Sequence, residues 1–354
     1  MRSTLLAVAV ALVAPAAARA DGGLTKGTPD VKSVSALAFG PNGLLFVGDP
    51  LSAAIFAVDT GDAKPAGDKP VNVERIDAKV AGVLGTTDKD VRITDLKVNP
   101  ASGNVYLAVT RGTGAGQPAI VRITRADAVE VVSLKDVPFA KATLPNPGPS
   151  TGKGGAATVI TNMAFVGGKL IVAGLSNEQF ASTLRSIAYP FQATDKGTAV
   201  EIFHGAHGRV ETQAPIRTFV PYKVGAEESV VAAYTCTPLV KVPVSELKPG
   251  AKVKGTTIAE LGNRNTPLDM IVYSKGGKDF LLVANTARGV MKIPAESFAA
   301  AEPITAKVPD TAGVKFETVG ELKGVTQLDK LDAGRGLLLL KTDAGFDLKT
   351  IELP

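Results

Sequence analysis

The 354-residue sequence predicts an all-β fold, a six-bladed β-propeller closed by an N-terminal strand, and three observations carry that prediction. A strand–turn–strand–break–strand pattern recurs six times, at about 50 residues per copy, with a period of two inside each copy. The second strand of every copy is apolar on both faces, as a strand sandwiched between two layers requires. Glycine (37) and proline (23) are frequent and tryptophan is absent, which suits short strands joined by turns.

The elements follow in order. The first copy is SALAF-GPNG-LLFVGD-PLSA-AIFAVDT and the second TDLKVNPASG-NVYLAVTRGTGAGQP-AIVRITR. The third is TNMAFVGGK-LIVAGLSNEQFAST-LRSIAY, and the fourth RTFVPYKVGAEES-VVAAYTCTP-LVKVPV. The fifth is LDMIVYSKGGKD-FLLVANTARG-VMKIPA, and the last TQLDKLDAGRG-LLLLKTDAGFD-LKTIEL. Outer fourth strands are read at VNVERID, VEVVSL, VEIFHG, TTIAEL and KFETVGEL, each assigned to the copy before it. The sixth copy ends at Pro354 with no room for one, so the segment around Leu24 to Val34 is expected to supply it and remove the free edge.

Residues 1–20, MRSTLLAVAVALVAPAAARA, read as a secretory signal peptide: Arg2, an apolar run from Leu5 to Ala18, and an A-x-A site before Asp21. Residues 21–354 are then one domain, exported to the periplasm or beyond, with no membrane span. Lys and Arg number 39 against 34 Asp and Glu, and they are scattered, which argues against a nucleic-acid partner. A single cysteine, Cys236, excludes an internal disulfide.

The stretch LAFGPNGLLFVGDPLSAAIFAVD resembles one repeat of the NHL, SMP-30 and YVTN-like six-bladed propellers. The resemblance covers essentially the mature chain and implies the propeller fold. Its SMP-30 branch further implies a metal-dependent lactonase in which Asp and Asn hold the cation.

With strands lettered A to D outward from the channel, the A–B turns are tight and glycine-rich, whereas the D–A loops are long and irregular. Binding is expected on the D–A/B–C face. Two sets of positions point to that end. Ala36, Asp95, Asn162, Thr218, Asp269 and Gln327 precede the apolar part of strand A. Asp49, Arg111, Asn177, Cys236, Asn285 and Asp343 follow that of strand B. Together they predict an Asx-rich channel mouth. The structural alternative is that these side chains cap turns and hold blade register.

Hard oxygen donors of this kind suit Ca²⁺ or Mg²⁺, with Asp95, Asp269 and Asp343 as the candidate metal ligands. The ligand-binding candidates are Asp49, Arg111, Asn162, Asn177, Arg209, Cys236 and Asn285. His204 and His207, the only two histidines, are the candidate catalytic bases or transition-metal ligands, against a plain polar loop. Cys236 reads as a small buried hydrophobe or, with the histidines and Met270, as a soft copper ligand. Arg111, Arg209, Arg264 and Lys153 suit an anionic ligand or simple solvation. GPSTGKGG lacks the spacing and following helix of a phosphate loop. The leading expectation is an exported module that binds a small molecule or protein at this loop face. The alternatives are a metal-dependent hydrolase and a periplasmic oxidoreductase with a cofactor over the tunnel.

Overall fold

The computed structural model describes residues 23–149, 155–235 and 237–354. The expected signal peptide, Lys153 and Cys236 lie outside the described residues. The fold is all-β, with six sheets arranged as a six-bladed propeller; pairing is antiparallel except where Lys252–Lys254 joins Thr198–His204 in parallel. No helix among the described residues is long and apolar enough to cross a membrane.

Blade one is built from Ala36–Phe39, Leu45–Asp49 and Ala54–Val58, blade two from Val91–Val98, Val105–Arg111, Gln117–Ile123 and Val129–Val131. Blade three uses Asn162–Val166, Lys169–Leu175, Ser182–Ala188 and Thr198–His204, with Arg209–Glu211 added outside. Blade four uses Ile216–Val224, Glu227–Tyr234, Pro238–Pro243 and Thr256–Leu261, blade five Pro267–Lys275, Lys278–Asn285, Gly289–Pro294 and Glu317–Val319. Blade six has three strands, Val325–Lys330, Arg335–Lys341 and Phe346–Glu352. The second strand of each blade is almost wholly buried. The apolar side chains form six clusters, one at each seam between neighbouring blades.

Two outer strands sit elsewhere than expected. The segment at Val71–Glu74 lies on blade six, not blade one: Val73 and Leu348 exchange backbone hydrogen bonds of 2.9 Å each way. Blade one instead takes its fourth strand from Val137–Thr143, a stretch not among the outer strands expected from sequence. The N-terminal Thr25–Gly27 then pairs with that strand, Thr25 opposite Phe139. The N-terminal strand therefore extends blade one and does not close blade six.

The order of blades around the channel is correspondingly permuted. Inner strands touch in the sequence two, one, three, four, five, six and back to two. The link after blade one explains how. It crosses the A–B end of blade two, where Asp62 accepts hydrogen bonds from Ser102 Oγ, Asn104 Nδ2 and the Tyr106 hydroxyl at 2.8–3.1 Å. It then reaches blade six at Val73, and the helix Ile76–Leu84 packs into the seam between blades six and two. From there the chain enters the inner strand of blade two.

Candidate functional site

The inner strands are tied to one another by polar side chains along their lengths. Leu37 N donates to Asp95 Oδ2 at 2.7 Å, from blade one to blade two. Val98 N donates to Asp329 Oδ2 at 2.7 Å, from two to six. Leu328 N donates to Asp269 Oδ2 at 3.1 Å, from six to five. Thr218 Oγ1 donates to Asp269 Oδ1 (3.4 Å), Asn162 Nδ2 donates to Thr218 Oγ1 (3.5 Å), and Ser35 Oγ donates to the Ile160 carbonyl (2.9 Å). Every seam of the ring is crossed. In Asp95, Asp269 and Asp329 the other carboxylate oxygen also accepts the amide of the next residue, at 2.8–2.9 Å. A carboxylate engaged this way fixes strand register and satisfies amides that the inner edge would leave bare.

Lys97 enters this ring from the same face of its strand as Asp95. Its Nζ lies 3.5 Å from Asp95 and 3.8 Å from Asp269, bridging blades two and five, which flank blade six. Burial alone would lower the Lys97 ammonium, but the carboxylates of Asp269 and Asp95 more than offset it and hold it well above its ordinary range. Burial raises both aspartates despite the lysine, Asp269 to about 6. Lys97 thus stands in the position where a cation between these carboxylates would sit.

Lys97, Asp269, Asp329 and Asn162 line an open cavity of about 710 Å³, whose walls include Phe39, Met163, Phe165, Phe219 and Met270. The A–B turn residues Pro100, Gly103 and Ala333 also line it, so this mouth opens on the A–B face, opposite the face expected from the sequence. Its combination of apolar walls with a few convergent charges is the composition of small-molecule sites.

The other candidates fall in separate places. Asp49 is fully buried and holds the N-terminal segment, accepting from Lys32 N (2.7 Å), Ser33 Oγ (2.6 Å) and Ser52 N (3.2 Å). Asn285 is buried and accepts from Asn265 Nδ2 at 3.0 Å. Arg111 and Asn177 are exposed at strand ends, and Asp343 is exposed in the turn between the last two strands, away from the buried Asp95 and Asp269.

His204 and His207 come together at the end of the outer strand of blade three. His204 Nδ1 lies 3.1 Å from Glu211 Oε2, and His207 Nδ1 lies 2.6 Å from Glu211 Oε1. The imidazole centroids are 3.8 Å apart. Glu211 faces the histidines because Arg209–Glu211 folds back as a hairpin, with His204 opposite Arg209 and Ile202 opposite Glu211. Arg209 Nε donates to Glu211 Oε1 at 3.2 Å. Burial alone would raise the Glu211 carboxyl, but the hydrogen bonds with His207 and His204 outweigh it and hold it low. Among the described residues, these three form the His/Cys/Asp/Glu group whose donor atoms all approach within 4.8 Å. The metal-capable donors are therefore nitrogen-rich, unlike the Asp95, Asp269 and Asp343 set expected for Ca²⁺ or Mg²⁺.

Sequence reasoning passed over Lys97, Asp329, Glu211 and Glu260. Lys97 had an available signal, since strand alternation puts residues two apart on one face. Glu211 had a weaker one, four residues after His207 across a glycine turn.

No protein-family model matches the chain, and no curated protein matches it in sequence. Solved structures are similar at the level of fold. A candidate oxidoreductase (glucose dehydrogenase) from Thermus thermophilus is 11% identical, over 93% of this chain and 100% of that one, with a TM-score of 0.34. The PQQ-bound aldose sugar dehydrogenase of Streptomyces coelicolor is 12% identical, over 94% and 99%, with a TM-score of 0.31. Chaetomium thermophilum Raptor is 11% identical, over 93% of this chain and 26% of that one, with a TM-score of 0.32. At these values the likeness extends to the fold and carries no argument about activity.

Proposed function

We propose that this chain is an exported propeller that binds a small organic molecule in its central channel, entered from the A–B turns. The observation that carries this reading is the open cavity of about 710 Å³ with Lys97 and Asp269 at its polar floor and Phe39, Phe165 and Phe219 in its walls. That volume lies within the roughly 300–1,000 Å³ common to ligand pockets. A ligand with an apolar body and one polar end fits the lining, its polar end directed at the Lys97–Asp269 pair. The stretch at residues 1–20, read from its sequence as a signal peptide, supports export. The geometry favours a binding module over a hydrolase built on a cation at Asp95 and Asp269, because the Lys97 ammonium already occupies the space between that pair.

The test is a thermal-shift screen of small carboxylates, amines and sugars, with native mass spectrometry of hits. A hit raises the melting temperature of the wild type in a saturable way. Phe165→Ala in the wall and Lys97→Met at the floor abolish or sharply weaken that rise. Hits whose shifts are unchanged in both variants refute binding in the channel.

A further inference from the structure

The geometry points to a second, separate site: His204, His207 and Glu211 form a divalent transition-metal site, best suited to zinc, on the D–A/B–C face of blade three. Two histidine nitrogens and one carboxylate are a donor set that zinc takes in sites with a fourth, open position. Tetrahedral zinc with bonds of about 2.0–2.2 Å places its ligand atoms roughly 3.3–3.5 Å apart. The separations here, 3.1 Å and 2.6 Å from each Nδ1 to a Glu211 oxygen, need only a small opening to admit the ion. Ca²⁺ and Mg²⁺ prefer oxygen donors throughout, so the pair of imidazoles selects against them.

A second observation supports metal ligation over a plain hydrogen-bonded cluster. His204 is 1% exposed, and its Nε2 has no hydrogen-bond partner. That atom is aimed at Glu260 Oε2, 3.9 Å away, on a carboxylate that is itself fully buried. Glu260 is held by the Gly205 amide (2.6 Å) and the Thr237 hydroxyl (2.7 Å). A metal-bound histidine characteristically donates its other ring N–H to a carboxylate, which fixes the tautomer. With the proton on Nε2 facing Glu260, the Nδ1 lone pair of His204 is free for the ion, and a slight tilt of the ring closes the gap.

The surroundings hold the site in place and leave one side open. Gly205 packs against Ile304 and Val308, and the Val308 amide donates to the Gly205 carbonyl at 3.0 Å. Two cations are nearby: Lys307, beside Gly208, and Arg209, on Glu211. Arg209 has a side chain 70% exposed and can withdraw into water when the ion takes Glu211. His207, 44% exposed, lies on the solvent side, where a water completes the coordination.

The experiment uses the untagged mature chain, stripped with chelator and titrated with zinc, and separately with cobalt as a spectroscopic probe. The wild type should bind one equivalent of zinc, with a saturable rise in melting temperature and a visible cobalt d–d band. His207→Ala changes an exposed side chain, so its metal-free melting curve should match the wild type. It should lose affinity by more than the roughly 10–100-fold that an outer-shell change costs. Glu211→Gln should lose the cobalt band. Absence of saturable zinc binding in the wild type overturns the site, as does unchanged affinity in His207→Ala.

Discussion

At the scale of single residues, aspartates do most of the work of joining blades, and their protonation carries a testable consequence. Asp269 is raised from 3.8 to about 6, chiefly by burial. The folded state therefore holds this proton to a higher pH than the unfolded chain does. Stability from this group is fully present below pH 3.8 and declines as pH rises through about 6. Urea unfolding of wild type and Asp269→Asn between pH 4 and 8 should show the wild type losing stability relative to the variant up to about pH 6–7, and no further change above. A flat difference across that range refutes the raised value. Asp49 offers a second test. Asp49→Ala leaves the Lys32 amide, the Ser33 hydroxyl and the Ser52 amide without their acceptor. A loss of about 1–3 kcal/mol is expected in denaturant unfolding, with faster proteolysis ahead of Ser33. At this scale the sequence was informative about residue type and less so about role. The Asx-rich rows were visible, and the alternative of blade register describes what Asp95, Asn162 and Asp269 do. Their pairing with Lys97 depends on blades two and five both flanking blade six, which no local pattern reveals.

At the scale of elements, the apolar second strands were legible because burial on both faces writes a continuous hydrophobic run. Gly174 shows what such a strand tolerates least. It sits in Lys169–Leu175, where the carbonyls of Val159 and Thr158 cross so closely that a Cβ would collide with backbone, which cannot rotate away. Gly174→Ala should destabilise by about 1–3 kcal/mol in equilibrium unfolding. A neutral effect would mean that the crossing segment is not held there. Four of the five outer strands expected from sequence sit on the blades assigned to them. The exception, Val71–Glu74, reads equally well as a strand on any exposed edge. Val137–Thr143 was missed because its alternation, VPFAKAT, carries a proline and a lysine and is only half buried.

At the scale of the whole molecule, six blades were countable from the repeat, but their order around the ring was not. Order depends on which edge the link of residues 59–90 reaches, and that is decided by Asp62 on blade two and Val73 on blade six. Two ways of closing the ring can be separated by hydrogen exchange. If the N-terminal strand completed blade six, removing residues 21–28 would bare the outer edge of Phe346–Glu352. In the arrangement found here, that edge is covered by Val73, whose amide and that of Leu348 bond each other's carbonyls, while Thr25–Gly27 covers Val137–Thr143. The truncated chain should therefore keep Val73 and Leu348 protected and lose protection around Val137 and Phe139. The converse change is Ile76→Ala. Ile76 is fully buried in the seam between blades six and two, beside Val73, Leu96 and Leu348. Its truncation should cost about 2–5 kcal/mol and raise exchange at Leu348 while leaving Phe139 unaffected. Loss of protection at Leu348 in the truncated chain would restore N-terminal closure and the sequential order of blades.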